Sequence, residues 1–300
     1  MVEFHPISTA ISDGPVLHGW STNQGHREVI FFTHGNGFST RVYEPMLKLL
    51  AAHYDLLLYD LPGHGKSPAF EFVGHIKTAE FLHQSVRQSQ EFIAGRHVHV
   101  VAHSLGGMLT MLAASQYPDT FTSMVLLDPI MFPRHLLMML TVTKKLGLTS
   151  LIHPYVKPTL RRRNGWSDQQ DAFNYFHKRK IFRNWTDEAL RSYINHALTN
   201  VDASDADSDL VLCCDPQLEA EWFGTVPSRL WSSVEKLRIP VSIFMGQDTY
   251  PFSLRAGEYA KSINTGIEYS IVPGDHCFMQ EDAKLAADYV TSTLLRRAGA

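Results

Sequence analysis

Three cysteines in 300 residues, two of them adjacent at Cys213 and Cys214, are too few and too poorly spaced for the disulfide framework of a small secreted domain. A reducing compartment is the simpler expectation. An excess of one charge is also missing. The 27 Lys and Arg nearly balance 30 Asp and Glu, a formal net charge of -3 spread along the chain, so no basic field exists to recruit nucleic acid or an anionic membrane. No apolar run reaches the ~20 residues that a membrane span needs. The opening MVEFHPISTAISDGPVLHGW lacks the charged start, apolar run and small-residue cleavage site of a secretory leader. Together these absences lead to the expectation of a soluble, cytoplasmic protein whose partner is a small molecule.

What is present is a chain 44% hydrophobic, long enough to bury a large core. Up to about residue 128, short apolar runs alternate with helix-period segments, the pattern of a mostly parallel sheet with helices on both faces. Val29 to Phe32, Leu56 to Tyr59, Val98 to Ala102 and Met124 to Leu127 read as buried strands. Tyr43, Met46, Leu47, Leu50 and Ala51 form one helical stripe, and Ile76, Ala79, Leu82, Val86 and Ile93 another. After Asp128-Pro129 the alternation stops. It returns with a strand at Val241 to Met245, a helix at Ser253 to Ile263, a strand at Ile267 to Val272 and a closing helix through Ala283, Ala286, Val290 and Leu294.

Residues 1–129 and 233–300 therefore read as one α/β core, and residues 130–232 as a helical cap inserted between two strands of its sheet. In open α/β sheets ligands bind beyond the carboxyl ends of the strands, where such an insertion would act as a lid. The polar run Asp202 to Asp209 reads as a flexible loop. The run Leu136 to Leu140 is too apolar for an exposed helix and is expected in the cap core or the pocket wall.

Three local patterns carry chemistry. In Val100 to Gly107 an apolar strand runs into Ser104, flanked by Ala102, Gly106 and Gly107. A sharp strand-to-helix turn strains its apex residue, needs small neighbours two positions away, and leaves the apex hydroxyl exposed at a helix N-terminus. That suits a nucleophile. Thr33 to Phe38, with Gly35 and Gly37, follows another strand and lets backbone amides approach a substrate oxygen. The amides of Asn36 and Leu105 are the expected oxyanion donors. Finally, two loops each follow a C-terminal strand, Gly246 to Thr249 and Pro273 to Cys277. His276 is the expected general base, and an imidazole in that role needs an acceptor on its other nitrogen. Asp248, from the neighbouring strand, is the first choice for that acid and Asp128 the reserve, since Asp275 is bonded next to the base.

These patterns resemble the α/β-hydrolase superfamily: HGNG for its HG-x-G oxyanion loop, AHSLG for its G-x-S-x-G elbow, and DLPGHGKS at Asp60 to Ser67 for the loop after its fourth strand. Ala102 departs from the elbow pattern by one methyl group. The resemblance covers roughly residues 25–129 and 236–300 and implies a cap-bearing, esterase-like serine hydrolase with the chain order Ser, Asp, His and no cofactor. Relatives that open epoxides or remove halides carry aspartate at the apex, which Ser104 does not match. An ester, thioester, lactone, amide or carbon–carbon acyl bond is left, and a carboxylic ester of a small, mostly apolar substrate leads. A slow-turnover ligand receptor with an intact triad is the alternative from another class.

Other features read more plainly. Gly65-Lys66-Ser67 lacks the glycine five residues earlier that a phosphate loop requires, because position 60 is Asp. The sixteen histidines include no H-E-x-x-H pair, and no metal is expected. Arg161 to Arg163 and Lys178 to Lys180 are expected on solvated cap faces, with contact to a charged acyl carrier as the functional alternative. Phe38, Phe132, Trp222, Phe223 and Phe278 are candidate substrate-binding walls, and Cys277 a small wall residue beside the base.

Overall fold

The computed structural model describes residues 2–148, 153–202 and 209–299. Its framework is an eight-stranded sheet of β1 (His5–Ala10), β2 (Val16–Ser21), β3 (Glu28–Thr33), β4 (Asp55–Tyr59), β5 (His97–His103), β6 (Ser123–Leu127), β9 (Val241–Gly246) and β10 (Ile267–Val272). The order is β1-β2-β4-β3-β5-β6-β9-β10; all pairings from β4 to β10 are parallel, and β1 and β2 are antiparallel additions at one edge. The hairpin of β1 and β2 is absent from the periodicity reading. Its signals are Asp13-Gly14 between two alternating runs, with Asp13 at φ 51° in the turn.

Because side chains alternate across a strand, the buried runs feed two cores. Val29, Phe31, Leu57, Val100, Ala102 and Leu126 face one side, where the helices Gly74–Gln88, Ser104–Gln116, Leu230–Lys236 and Pro251–Ile263 cover them. Ile30, Phe32, Leu56, Leu58, Val101 and Leu127 face the other, under the helices Glu44–Leu50, Asp187–Ala197 and Ala283–Ala298. The expected stripes Met46-Leu47-Leu50 and Ala79-Leu82-Val86 lie on these inner faces.

The chain between β6 and β9 holds the helices Arg134–Lys145, Val156–Leu160, Gln169–Phe176, Asp187–Ala197, Pro216–Gly224 and Leu230–Lys236. It also contains an antiparallel pair, β7 (Leu198–Asn200) with β8 (Leu210–Leu212), which helical periodicity does not reveal. Residues 203–208 of the expected flexible loop lie outside the described residues. The anticipated boundary at 232 falls inside the helix Leu230–Lys236, whose Leu230 and Val234 pack in the same core as Met108 and Leu112. Within Leu136 to Leu140, helical spacing divides the run: Leu140 is buried and Leu137 half-buried, whereas Met138 and Met139 are exposed. Hydrogen bonds stitch the insertion to the core, Ser192 Oγ donating to Arg41 O and Ser39 Oγ to His196 O, each at 2.8 Å.

Close backbone approach at the end of β5 makes one position critical. Gly106 N donates to His34 O at 3.0 Å, and a Cβ at Gly106 would stand 2.7 Å from that oxygen. Backbone cannot swing aside as a side chain can, and overpacking of this kind costs about 1–3 kcal/mol. Gly106→Ala is expected to lower the free energy of unfolding by about 2 kcal/mol; an unchanged denaturant midpoint would refute this account of the turn.

Candidate active site

β5 ends in His103, and Ser104 opens the helix Ser104–Gln116 with φ 51°, the left-handed conformation that a non-glycine residue adopts only under constraint. On the facing side, β3 ends at Thr33 and delivers the loop His34 to Phe38. The two pieces touch: a Cβ at Gly35 would stand 2.9 Å from His103 Nδ1, so only glycine admits this approach. Gly35 N is engaged by the Tyr43 hydroxyl at 3.2 Å and Gly106 N by His34 O, while the intervening donor positions Asn36 and Leu105 line a cavity.

Ser104 and His276 meet across that edge, with His276 Nε2 2.9 Å from Ser104 Oγ. The acid that meets the imidazole is Asp128, not the first-choice Asp248. Asp128 Oδ1 lies 2.7 Å from His276 Nδ1, and its carboxylate also accepts from Thr249 Oγ1 and Gly246 N, each at 2.8 Å. Asp128 is fully buried, immediately after β6, with φ 44°. Asp248 lies two residues beyond β9 in a turn whose amide donates to Gly274 O, and its side chain is exposed. The turn after β9 thus sends Thr249 inward as a donor and Asp248 outward. Both aspartates precede His276 in the chain, so residue order does not separate them; the available signal was the Asp-Pro step directly after the apolar run Met124 to Leu127 of a fully buried strand.

Behind these residues lie three buried histidines whose tautomers are set by their partners. A carbonyl only accepts, so the ring nitrogen facing it carries the proton. His34 Nδ1 donates to Gly35 O and its Nε2 accepts from Leu61 N. His103 Nε2 donates to His276 O at 2.9 Å and its Nδ1 accepts from Tyr43 Oη at 2.6 Å. His64 Nδ1 donates to Pro62 O, leaving Nε2 to accept from the Cys214 thiol at 3.2 Å. Burial lowers the pKa of all three, His34 to about 4, His64 to about 3 and His103 well below its ordinary value. Sequence reasoning missed this set, although His103 stands inside the elbow pattern itself.

The cavity over Ser104 has a volume of about 340 Å³, within the usual range for a small-molecule site. Phe38, Phe132, Trp222 and Phe223 line it, as does Cys277. Phe278 does not: it opens the short helix Phe278–Glu281 and packs in the core with Val272 and Met279. Arg162 also departs from expectation, since it turns inward from its basic run and pairs with buried Glu219 in the cavity wall. Among the described residues no group of His, Cys, Asp and Glu is arranged to hold a metal ion, and no helix is long and apolar enough to cross a membrane.

The chain belongs to the α/β hydrolase family, whose model matches residues 30–288. Human monoglyceride lipase is 32% identical over 116 residues, 37% of this chain and 38% of the lipase. The (E)-2-((N-methylformamido)methylene)succinate hydrolase of Acinetobacter baylyi is 25% identical over 107 residues, 36% of this chain and 40% of that protein. The chain therefore matches about two fifths of the length of these two curated relatives. Among solved structures, E-2-(acetamidomethylene)succinate hydrolase superposes with a TM-score of 0.73 at 20% identity, covering 97% of this chain and 98% of that one. A Mycobacterium tuberculosis esterase gives 0.72 at 20% identity, covering 98% and 92%. At such identities the likeness is one of fold; the family assignment, with hydrolases among the relatives, rests on the sequence match.

The buried histidines make stability depend on pH. Their folded pKa values lie below the unfolded value near 6.5, so the unfolded chain takes up protons first, and stability falls as pH drops from about 6.5 towards the folded values. For His64 the slope is roughly 1 kcal/mol per pH unit. Urea unfolding of wild type and His64→Gln between pH 6 and pH 4 is expected to give a shallower loss in the variant by about that amount; parallel curves would contradict the assignment.

Proposed function

We propose that the protein is a cofactor-independent serine hydrolase that cleaves a carboxylic ester of a small, mostly apolar substrate through an acyl-enzyme. The observation that carries this reading is the hydrogen-bonded series Asp128–His276–Ser104, with links of 2.7 and 2.9 Å. The Asp128 carboxylate accepts from His276 Nδ1–H, which leaves Nε2 unprotonated and facing the serine hydroxyl. In the first half-reaction Ser104 Oγ attacks the ester carbonyl while Nε2 takes its proton, and the imidazolium is steadied by Asp128. The carbonyl electron pair moves onto oxygen, held by the Asn36 and Leu105 amides. Collapse re-forms the carbonyl and breaks the bond to the alcohol, which leaves with the proton from Nε2. Water, deprotonated by the same nitrogen, then attacks the acyl-enzyme and releases the acid and Ser104.

The segment 130–232 acts in this reading as a cap over the core formed by 1–129 and 233–300. In support, Leu140, His153, Tyr155, Phe176, Trp222 and Phe223 of the insertion line the cavity opposite Ser104. A wall so rich in aromatic rings suits an apolar substrate and keeps bulk water from the oxyanion, where its dipoles would compete with the two amides.

Three variants assayed on a short-chain aryl ester test the roles. Ser104→Ala is expected to abolish turnover and fluorophosphonate labelling while leaving thermal unfolding intact. Asp128→Asn is expected to reduce kcat by about 10³–10⁴-fold, because the wrong tautomer then faces the serine. Asp248→Asn is expected to stay within about threefold of wild type, since removing an exposed charge from a turn is normally a small effect. Equal damage from the two aspartate changes would return the acid's role to open question, and turnover by Ser104→Ala would end the proposal.

A further inference from the structure

The near balance of charge along the whole chain conceals a local excess. Between Lys157 and Arg191, inside the inserted segment, there are nine Lys and Arg but only four Asp and Glu, although the chain as a whole carries a formal net charge of -3. The cavity over Ser104 meets that excess. Arg162, Arg163 and Arg179 line it, and Glu219 is its one carboxylate among the described residues. A cleft with apolar walls focuses such a field on whatever enters it. The proposed acyl-transfer steps use none of the three guanidiniums.

Two of the three are already engaged. Arg162 meets Glu219 end-on, Nη1 donating to Oε1 at 3.0 Å with Nη2 in contact with Oε2. Arg163 donates from Nε to Gly165 O at 2.7 Å and from Nη1 to Asp171 Oδ1 at 3.4 Å, with Nη2 in contact with Oδ2. Arg179 differs. Its side chain is exposed, and among the described residues it makes no ion pair or hydrogen bond; it lies over the Tyr175 ring, with Cζ 4.1 Å from the centroid. Stacking of this kind holds the plane of the guanidinium and leaves its in-plane N–H fork open. The backbone is held as well. Arg179 N donates to Phe176 O at 2.8 Å and Phe182 N to Arg179 O at 3.0 Å, and both phenylalanines are buried in the cavity wall. An open fork on a fixed turn at the edge of a cavity suits a carboxylate, which can accept two parallel N–H bonds.

We infer that Arg179 makes the cavity mouth a recognition site for a carboxylate that the substrate carries at the end remote from its scissile ester. This rests on the serine-hydrolase reading and adds a substrate class to it: esters with an apolar body inside the cavity and an anionic end at its mouth. The body gains by leaving water for the aromatic wall, while the charge stays at the rim, where desolvation costs least. Lys178 and Lys180, exposed on either side of Arg179, add to the field there. Salt screens attraction between exposed charges, which gives the site a signature that packing alone would not have.

The test compares a carboxylate with a carboxamide, which has nearly the same shape and no charge. On the acyl side the whole protein is offered the monoethyl esters of the straight-chain diacids from succinic to suberic, each beside the ethyl ester of the corresponding half-amide. On the alcohol side it is offered 4-butanoyloxybutanoate and 6-butanoyloxyhexanoate beside their amides. Wild type is expected to prefer the carboxylate in at least one pair by about fivefold or more in kcat/KM at low ionic strength, and the ratio is expected to shrink towards one in about 0.5 M salt. Arg179→Met, which keeps an apolar stem on Tyr175 and removes the charge, is expected to lower that ratio by about threefold or more. Its turnover of the aryl ester is expected to stay within about twofold of wild type, since the side chain is exposed and outside the reacting groups. Arg179→Glu is expected to bring the ratio below one. A wild-type ratio at or below one in every pair, or a preference unchanged in Arg179→Met, would overturn the site while leaving ester hydrolysis at Ser104 intact. Absence of turnover on all of these esters and on the aryl ester would overturn the underlying reading and the site with it.

Discussion

The pairing of β6 with β9 is the contact on which the rest of this molecule depends. Leu127 lies opposite Phe244 although the whole inserted segment separates them along the chain, so forming the pair must overcome the closure entropy of a long loop. Once formed, it continues past the end of the strand: Asp128 N donates to Phe244 O, and Gly246 N donates back to the Asp128 carboxylate. The same ladder that closes the sheet across the insertion therefore fixes the aspartate that holds His276. Thr249 completes the cage around that carboxylate, which ends with three donors and no exposure. A carboxylate so surrounded is held in one orientation, which is what an imidazole needs in order to present a single tautomer.

A second constraint ties the parts of the site into one body. The Gly35 amide donates to the Tyr43 hydroxyl, Tyr43 to His103, and His103 to the carbonyl of His276. The loops that follow β3, β5 and β10 are far apart in the chain, yet they share this short path of hydrogen bonds. It works only while His103 is neutral, since a protonated Nδ1 would face Tyr43 with a hydrogen in place of a lone pair. Burial supplies that condition by disfavouring the charged ring. The same logic holds His34 and His64 neutral around the Asp60 loop, whose carboxylate accepts from the Thr40 and Lys66 amides.

The inserted segment also packs on the loop that follows β3. Phe38 of the oxyanion loop packs edge-on against Trp185 and Tyr193, and Asn36 donates to the backbone of Glu219. The loop His34 to Phe38 is thus bounded on one side by the sheet edge and on the other by the inserted helices. Meanwhile the helix Arg134–Lys145 buries Leu140 and leaves Met138 and Val142 in solvent, so a single apolar run serves the cavity on one face and the surface on the other.

Much of this was legible from residue order. Buried strands announce themselves as short apolar runs because both faces of a parallel sheet are covered, and the elbow announces itself because a tight strand-to-helix turn tolerates only small neighbours such as Ala102 and Gly106. The meeting of Ser104 with His276, the glycine-bearing loop beside them and the interruption of the sheet all follow from such local demands. The β1–β2 hairpin and the β7–β8 pair escaped because half-exposed or very short strands carry weak periodicity. The choice between Asp128 and Asp248 escaped because both sit at the ends of adjacent strands. The direction of a side chain past a strand end is set by the turn that follows, which depends on partners far away in the chain: Phe244 for one, Gly274 for the other. So too with Arg162, Glu219 and Phe278. A sequence states which groups are available and how local backbone must bend; only the tertiary structure decides which of two equivalent carboxylates, or which arginine of three, is turned inward, because burial and partner choice are properties of contacts between distant segments.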